Sequence, residues 1–119
     1  MPAAVERLKR RTEFLRVAAG RRKAAAPGLV LQVRETMDGM PAIAPRIGFT
    51  ASRKVGNAVA RNRARRRLRA AVQAVIPLHA APGFDYVVIA RQATLTRPFP
   101  ALLADLEGAL KRLGTWRAD

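Results

Sequence analysis

The spacing of apolar positions changes repeatedly along this chain, and each change marks an element. Leu29-Val-Leu-Gln-Val33 and Arg46-Ile-Gly-Phe-Thr50 each carry apolar residues in a strand-like pattern with at least one buried face. Phe84-Asp-Tyr-Val-Val-Ile-Ala90 is more continuously apolar and β-branched, which predicts a central strand. Helical spacing appears three times. Thr12 can cap a short helix carrying Phe14, Leu15, Val17 and Ala18, with Gly20 as its stop. Gly56-Asn57 opens a long helix expected to run to about Val75, because Pro77 disfavours continuation and leaves Leu78 to Gly83 as loop. After Pro98 and Pro100, the positions Leu102, Leu103, Leu106, Leu110 and Leu113 line one helical face, and Gly114 ends it. Pro27-Gly28 and Thr36-Met-Asp-Gly-Met-Pro41 are the intervening turns. The order is αββαβα, an α+β two-layer sandwich in which helices cover a small sheet.

The long helix is unusual in what lies outside its apolar stripe. At about 100° per residue, Leu68, Ala71, Val72 and Val75 fall within an arc of roughly 100° that must pack on the sheet. Arg65, Arg69, Asn62 and Arg66 sweep along one side as a basic ridge, while Arg63 and Arg67 occupy the opposite flank. Arg61 lies beside the apolar stripe in the first turns, where it can protrude past the sheet edge. That is more arginine than one row of phosphates requires, so the helix is expected to meet an irregular surface or two ligands.

Charge sharpens the picture. Ser52 to Arg69 holds eight Lys or Arg among eighteen residues, and no acid occurs from Gly39 to Phe84. A solvated helix face ordinarily mixes Glu with Lys, and repulsion between adjacent like charges costs a few tenths of a kcal/mol per pair. Segregation of one sign over such a length points to a polyphosphate partner. Arg brings a planar fork that bridges phosphate oxygens and stacks on bases, and Asn62 can read a base edge or a ribose hydroxyl.

Composition removes other classes. The formal charge is +15 over 119 residues, half of them apolar, as expected for one folded basic domain. The absence of Cys excludes a thiolate zinc site, a cysteine nucleophile and a disulfide framework. No apolar run approaches the roughly 18 residues of a membrane span. The Arg- and Ala-rich first 28 residues share a bias with organellar transit peptides, but Glu6, Glu13 and the prolines favour a folded basic helix. His79 is the only histidine and has no orienting carboxylate near it in sequence. Glu6, Glu13, Glu35, Asp38, Asp85, Asp105, Glu107 and Asp119 are scattered without metal-ligand spacing. Neither catalytic nor metal-binding side chains are expected.

The residue order of Ser52-Arg-Lys-Val-Gly-Asn-Ala-Val-Ala-Arg-Asn-Arg-Ala-Arg-Arg-Arg-Leu-Arg69 resembles the signature of the bacterial ribonuclease P protein subunit. Arg46 to Thr50 resembles the strand leading into that motif, Asp85 to Arg91 the later strand and its arginine, and Glu13 to Val17 the first helix. The likeness spans about Leu8 to Leu113 of a single RNA-binding domain, 1–119. It implies a small mixed sheet with a left-handed βαβ crossover, against the usual right-handed rule. It also implies the accessory subunit of a ribozyme that removes the 5′ leader from precursor tRNA.

Carried over by position, Arg53, Lys54, Asn57, Arg61, Asn62, Arg63, Arg65, Arg66 and Arg69 would bind RNA; of these, the helix residues from Arg61 to Arg69 would face the catalytic RNA, and Arg53 and Lys54 would lie near leader or RNA backbone. Phe14, Val17 and Arg91 would line a cleft for the single-stranded leader. No cofactor on protein side chains, no membrane and no obligate protein partner is implied. Mg²⁺ would be required by the RNA subunit, and the setting would be the bacterial cytoplasm. The family often carries aromatics where this chain has Ala18 and Gln32, which shifts leader binding here toward charge and apolar contact. Two other readings share the composition, a ribosomal-type RNA-binding protein and a DNA-binding module. The latter lacks a helix-turn-helix pattern.

Overall fold

Alternation along the strands decides which residues each face of the sheet presents, and the helices follow from it. The computed structural model describes residues 5–37 and 44–118, so part of the expected Thr36–Pro41 turn lies outside the described residues. Its elements are β1 (Glu6–Arg7), α1 (Arg11–Ala19), β2 (Arg22–Ala25), β3 (Leu29–Glu35), β4 (Arg46–Thr50), α2 (Ala58–His79), β5 (Phe84–Ala90) and α3 (Phe99–Arg112), with a 3-10 turn at Gln92–Leu95. The sheet order is β1-β4-β5-β3-β2. β4 runs parallel to β1 and β5, whereas β3 is antiparallel to β5 and β2. β5 is therefore central, as its apolar run predicts, and β4–α2–β5 is a βαβ crossover between adjacent parallel strands.

One face carries Leu29, Leu31, Val33, Ile47, Tyr86, Val88 and Ala90, all buried against α2 and α3. The stripe Leu68, Ala71, Val72 and Val75 packs there as expected, joined by Ala64 and Ile76. α3 contributes Leu102, Leu106, Ala109 and Leu110. This sheet-and-two-helix sandwich is the main core. The other face is covered only in part, by α1, through a small cluster of Leu8, Val17 and Val87 with Phe14 and Ile89 against it.

Three boundaries differ from the sequence expectation. β1 and β2 are additional edge strands. With one buried residue in Arg22-Lys-Ala-Ala25, β2 has too little pattern to announce itself, and its ladder with β3 decides its conformation. α2 continues through Pro77 to His79. Proline forfeits its own N–H and crowds the preceding turn, but Ile76 and Pro77 are buried, and the turn is closed by the Ala80 N–H donating to the Ile76 carbonyl at 3.0 Å. Packing thus offsets the local cost. Finally, Thr12 lies inside α1, and the helix start is held by the Glu13 carboxylate accepting from the Arg10 N–H at 2.9 Å and the Lys9 N–H at 3.1 Å.

Tyr86 makes the core pH-sensitive at its alkaline edge. Its ring is fully buried and its hydroxyl donates to the Ala81 carbonyl at 3.0 Å. Burial pushes the phenol from 10.0 up to about 12. The folded chain holds this proton after the unfolded chain has lost it. The stabilisation is therefore complete below pH 10 and disappears as pH rises toward 12, a loss of about 2–3 kcal/mol. Because this is the only tyrosine, ultraviolet titration reads it alone. The native midpoint is expected well above that in denaturant; coincident midpoints would refute the burial effect.

Candidate nucleic-acid interface

Asn57 caps α2, its side-chain oxygen accepting the Ala60 N–H at 2.9 Å. From that start the helix carries Asn62, Arg65, Arg66 and Arg69 along one surface, and these four line a shared groove with Val59. The side chains are partly ordered before any ligand arrives. Arg65 donates to the Asn62 side-chain oxygen at 2.8 Å, and the Arg69 guanidinium lies 5.9 Å from the centre of the Phe49 ring. Preordering of this kind lowers the entropy lost on binding.

The other sequence-predicted arginines of α2 divide by environment. Arg63 is exposed on the far flank. Arg61 is half-buried and donates to the Gly56 carbonyl at 3.2 Å, so it braces the first turn and only part of its fork is free. Arg67 turns inward to the carbonyls of Thr94 and Arg97, both at 2.5 Å. It holds the segment between β5 and α3 and is not a surface cation. In the loop before α2, Arg53 and Lys54 are exposed.

The face of the sheet under α1 supplies a second surface. Arg34, Asp85 and Arg46 form one row across β3, β5 and β4; Gln32, Val87 and Gly48 form the next; Val30, Ile89 and Thr50 the third. α1 is tied over the first row by Glu13 to Arg46 and by Arg16 to Asp85, the latter 3.6 Å apart. Over the second row lies Phe14. A Cβ on Gly48 would come within 2.4 Å of its ring, so glycine is what lets the ring sit on the sheet. The third row is half-exposed.

Beyond that row, Arg91 continues the alternation of β5. It shares a cleft with Ile89, Ser52, Lys54 and Gln92. From Val87 to Arg91 the strand covers about 13 Å. Phe14 and Arg91 thus belong to one strip, with Phe14 as a wall and Arg91 at its basic end. Arg91 is fixed there by two bonds, its N–H to the Thr94 hydroxyl at 2.9 Å and its guanidinium to the Ala26 carbonyl at 2.8 Å.

Val17 is a correction. It is 0% exposed, in contact with the sheet beneath α1, and can support the strip but not touch a ligand. Val30, Thr50 and Ile89 were missed by sequence reasoning, although strand alternation put them on one face; nothing in the sequence said that α1 is too short to cover them. Lys54 lines the same cleft as Arg91, which puts it on the leader side of the two positions the resemblance allows for the loop, leader or RNA backbone. Gln32 and Ala18 lie on this side, half-buried and exposed respectively, so Phe14 is the aromatic of the strip.

Electrostatics separate the surfaces from the acids. Glu13 and Asp85 are engaged under the far end of α1, and Asp105 pairs with Arg97. None of these reaches the exposed arginines of α2. Among the described residues, no group of three or more His, Asp or Glu is placed to hold a metal ion, and no helix is long and apolar enough to cross a membrane.

The family model for ribonuclease P matches residues 2–114. The chain is 59% identical over 115 residues to the ribonuclease P protein component of Paramagnetospirillum magneticum, covering 96% of this chain and 86% of that one. It is 50% identical to the corresponding component of Gluconacetobacter diazotrophicus, covering 95% of each. Among solved structures, the RNase P protein of Staphylococcus aureus superposes with a TM-score of 0.73 at 26% identity, covering 93% of this chain and 97% of that chain. The RNase P protein from Thermotoga maritima gives 0.72 at 29%, covering 90% and 96%. By sequence and by fold, the chain belongs to the ribonuclease P protein family, the protein component of a tRNA-processing ribonuclease.

Proposed function

We propose that this chain acts as one RNA-binding domain, 1–119, with two RNA surfaces on opposite sides of its sheet. The exposed α2 cations bind the catalytic RNA of ribonuclease P, and the loop residues Arg53 and Lys54 lie near the leader or the RNA backbone, Lys54 in the same cleft as Arg91. The strip from Phe14 to Arg91 receives the single-stranded 5′ leader of precursor tRNA. The observation that carries this reading is the placement of two unlike basic surfaces on one small fold. One is a helix ridge suited to folded RNA. The other is a half-apolar groove with a basic end, suited to an extended strand.

In this mechanism the polypeptide performs no bond cleavage. RNA-bound Mg²⁺ supplies water activation and leaving-group stabilisation. The protein side chains screen phosphate repulsion and hold the leader in register, which contributes binding and positioning. The side chains near the strip suit this role, because their acids are occupied in ion pairs and their free groups are cations. The site of action is the bacterial cytoplasm, and no further protein is required.

Reconstitution tests the proposal. The purified chain alone should leave precursor tRNA intact, while adding it to the ribonuclease P RNA should lower the Mg²⁺ and salt needed for cleavage. A chain that changes neither requirement would sink the proposal. Ribosomal RNA dominating the material recovered with the chain from cells would favour the ribosomal-type alternative.

A further inference from the structure

We infer that the side of α2 next to α3 carries a third RNA contact, in which an unpaired base of the catalytic RNA stacks on Phe99 beside Arg63 and Arg66. This rests on the reading of the chain as a ribonuclease P subunit and adds a residue that the motif of α2 does not contain. Phe99 is the first residue of α3 and is 37% exposed, a large apolar side chain that the core does not absorb. It lines a groove with Arg63, Arg66, Arg67 and Ala70. The groove holds about 250 Å³ and is open, below the size range of pockets that enclose a drug-sized ligand. A single flat ring is an occupant of suitable size.

The surroundings make the ring a platform. Pro98 and Pro100 flank it and restrict the local backbone. Arg67 anchors the segment just before it through the carbonyls of Thr94 and Arg97. Ala70 is the small residue that leaves the groove open. Arg63 and Arg66 are exposed in the same groove, with no acid among the lining residues to neutralise them. An aromatic ring with free arginines beside it matches a nucleotide in both its parts, the base for the ring and the phosphate for the guanidinium. The occupant is assigned to the catalytic RNA because α2 and α3 lie on the sheet face opposite α1, so the sheet stands between this groove and the leader strip. It also gives Arg63 a purpose that a single ridge does not.

The test compares Phe99→Leu and Phe99→Trp with the wild-type chain, measuring affinity for the ribonuclease P RNA over a series of salt concentrations. Leucine keeps apolar packing and removes the stacking face; tryptophan keeps the face. Phe99→Leu is expected to weaken binding about 5- to 150-fold with an unaltered salt slope, because stacking releases no counterions. Phe99→Trp should bind within about threefold of wild type. Equal binding by Phe99→Leu and wild type overturns the inference, as does a Trp variant as weak as the Leu variant. A wild-type chain that does not bind this RNA overturns the ribonuclease P reading and the inference together, whereas intact wild-type binding with an indifferent Phe99 overturns the inference alone.

Discussion

Replacing Arg65 and Arg69 together by alanine is expected to lower the salt slope of binding to the ribonuclease P RNA by about 1.4–1.8 units. That is the loss of two phosphate contacts at roughly 0.7–0.9 each. The affinity should fall about a hundredfold, roughly tenfold for each charge-assisted contact removed. Both side chains lie on the exposed ridge, Arg65 held by Asn62 and Arg69 against Phe49. Neither bonds to the backbone of another element, so the melting temperature should hardly move. Arg67→Ala is the contrast. Its fork bonds to the carbonyls of Thr94 and Arg97, so its loss should cost stability while leaving the salt slope unaltered. Filter binding across salt, with thermal melts of the same variants, separates the two behaviours. An unchanged slope for the double variant would show that these arginines do not contact phosphate.

The largest expected effect on stability comes from Asp105→Ala, a loss of about 2–3 kcal/mol in urea unfolding. The carboxylate is buried and accepts three bonds: from the Arg97 Nε at 2.7 Å, from the Arg97 Nη2 at 3.0 Å, and from the Gly28 N–H at 2.9 Å. Removing the carboxylate strands the buried Gly28 N–H without an acceptor, which costs about 1–3 kcal/mol, and opens a space beside Leu102. Arg97 is 30% exposed, so water solvates the guanidinium that is left and its unpairing adds little. The buried Gly28 N–H has no such recourse. Against a total of about 5–15 kcal/mol this is a large fraction. Asp105→Asn keeps the volume and an acceptor for Gly28, and should lose less. A loss below about 1 kcal/mol for the alanine variant would refute the account.

This node also bears on the strip proposed to hold the leader. Gly28 is confined there because a Cβ would come within 2.7 Å of both the Asp105 carboxylate and Leu102. Its carbonyl accepts from the Thr94 hydroxyl, whose oxygen in turn accepts the Arg91 N–H. Arg67 reaches the same segment from α2. The 3-10 turn is therefore where the main core, the arginine helix and the basic end of the strip are joined, and Asp105→Ala should loosen Arg91 as well as the fold.

Periodicity made most elements legible because the burial of a strand or a helix face is written residue by residue. The β5 run, the α2 stripe and the leucine ladder of α3 needed no knowledge of partners. β2 was not legible, since a two-sided edge strand with one buried alanine obtains its conformation from β3. Pro77 was misread for a related reason: local propensity counts the lost N–H, while burial of Ile76 and Pro77 against the core acts over distance. The candidate site was half legible. The order of residues in Ser52–Arg69 marks the arginine helix proposed to bind RNA, whereas the strip depends on where α1 stops covering the sheet.

By itself, then, the sequence determined the α+β class and the acid-free arginine helix from which a polyphosphate partner is proposed, because charge sign and hydrophobic period are properties of each residue and its near neighbours. Only the tertiary structure decided which of those cations are free. It turned Arg67 inward, braced Arg61, buried Val17, and set Arg91 beside Lys54 at the end of an uncovered row. Those outcomes depend on hydrogen bonds and packing between residues far apart in the chain, and no local pattern carries that information.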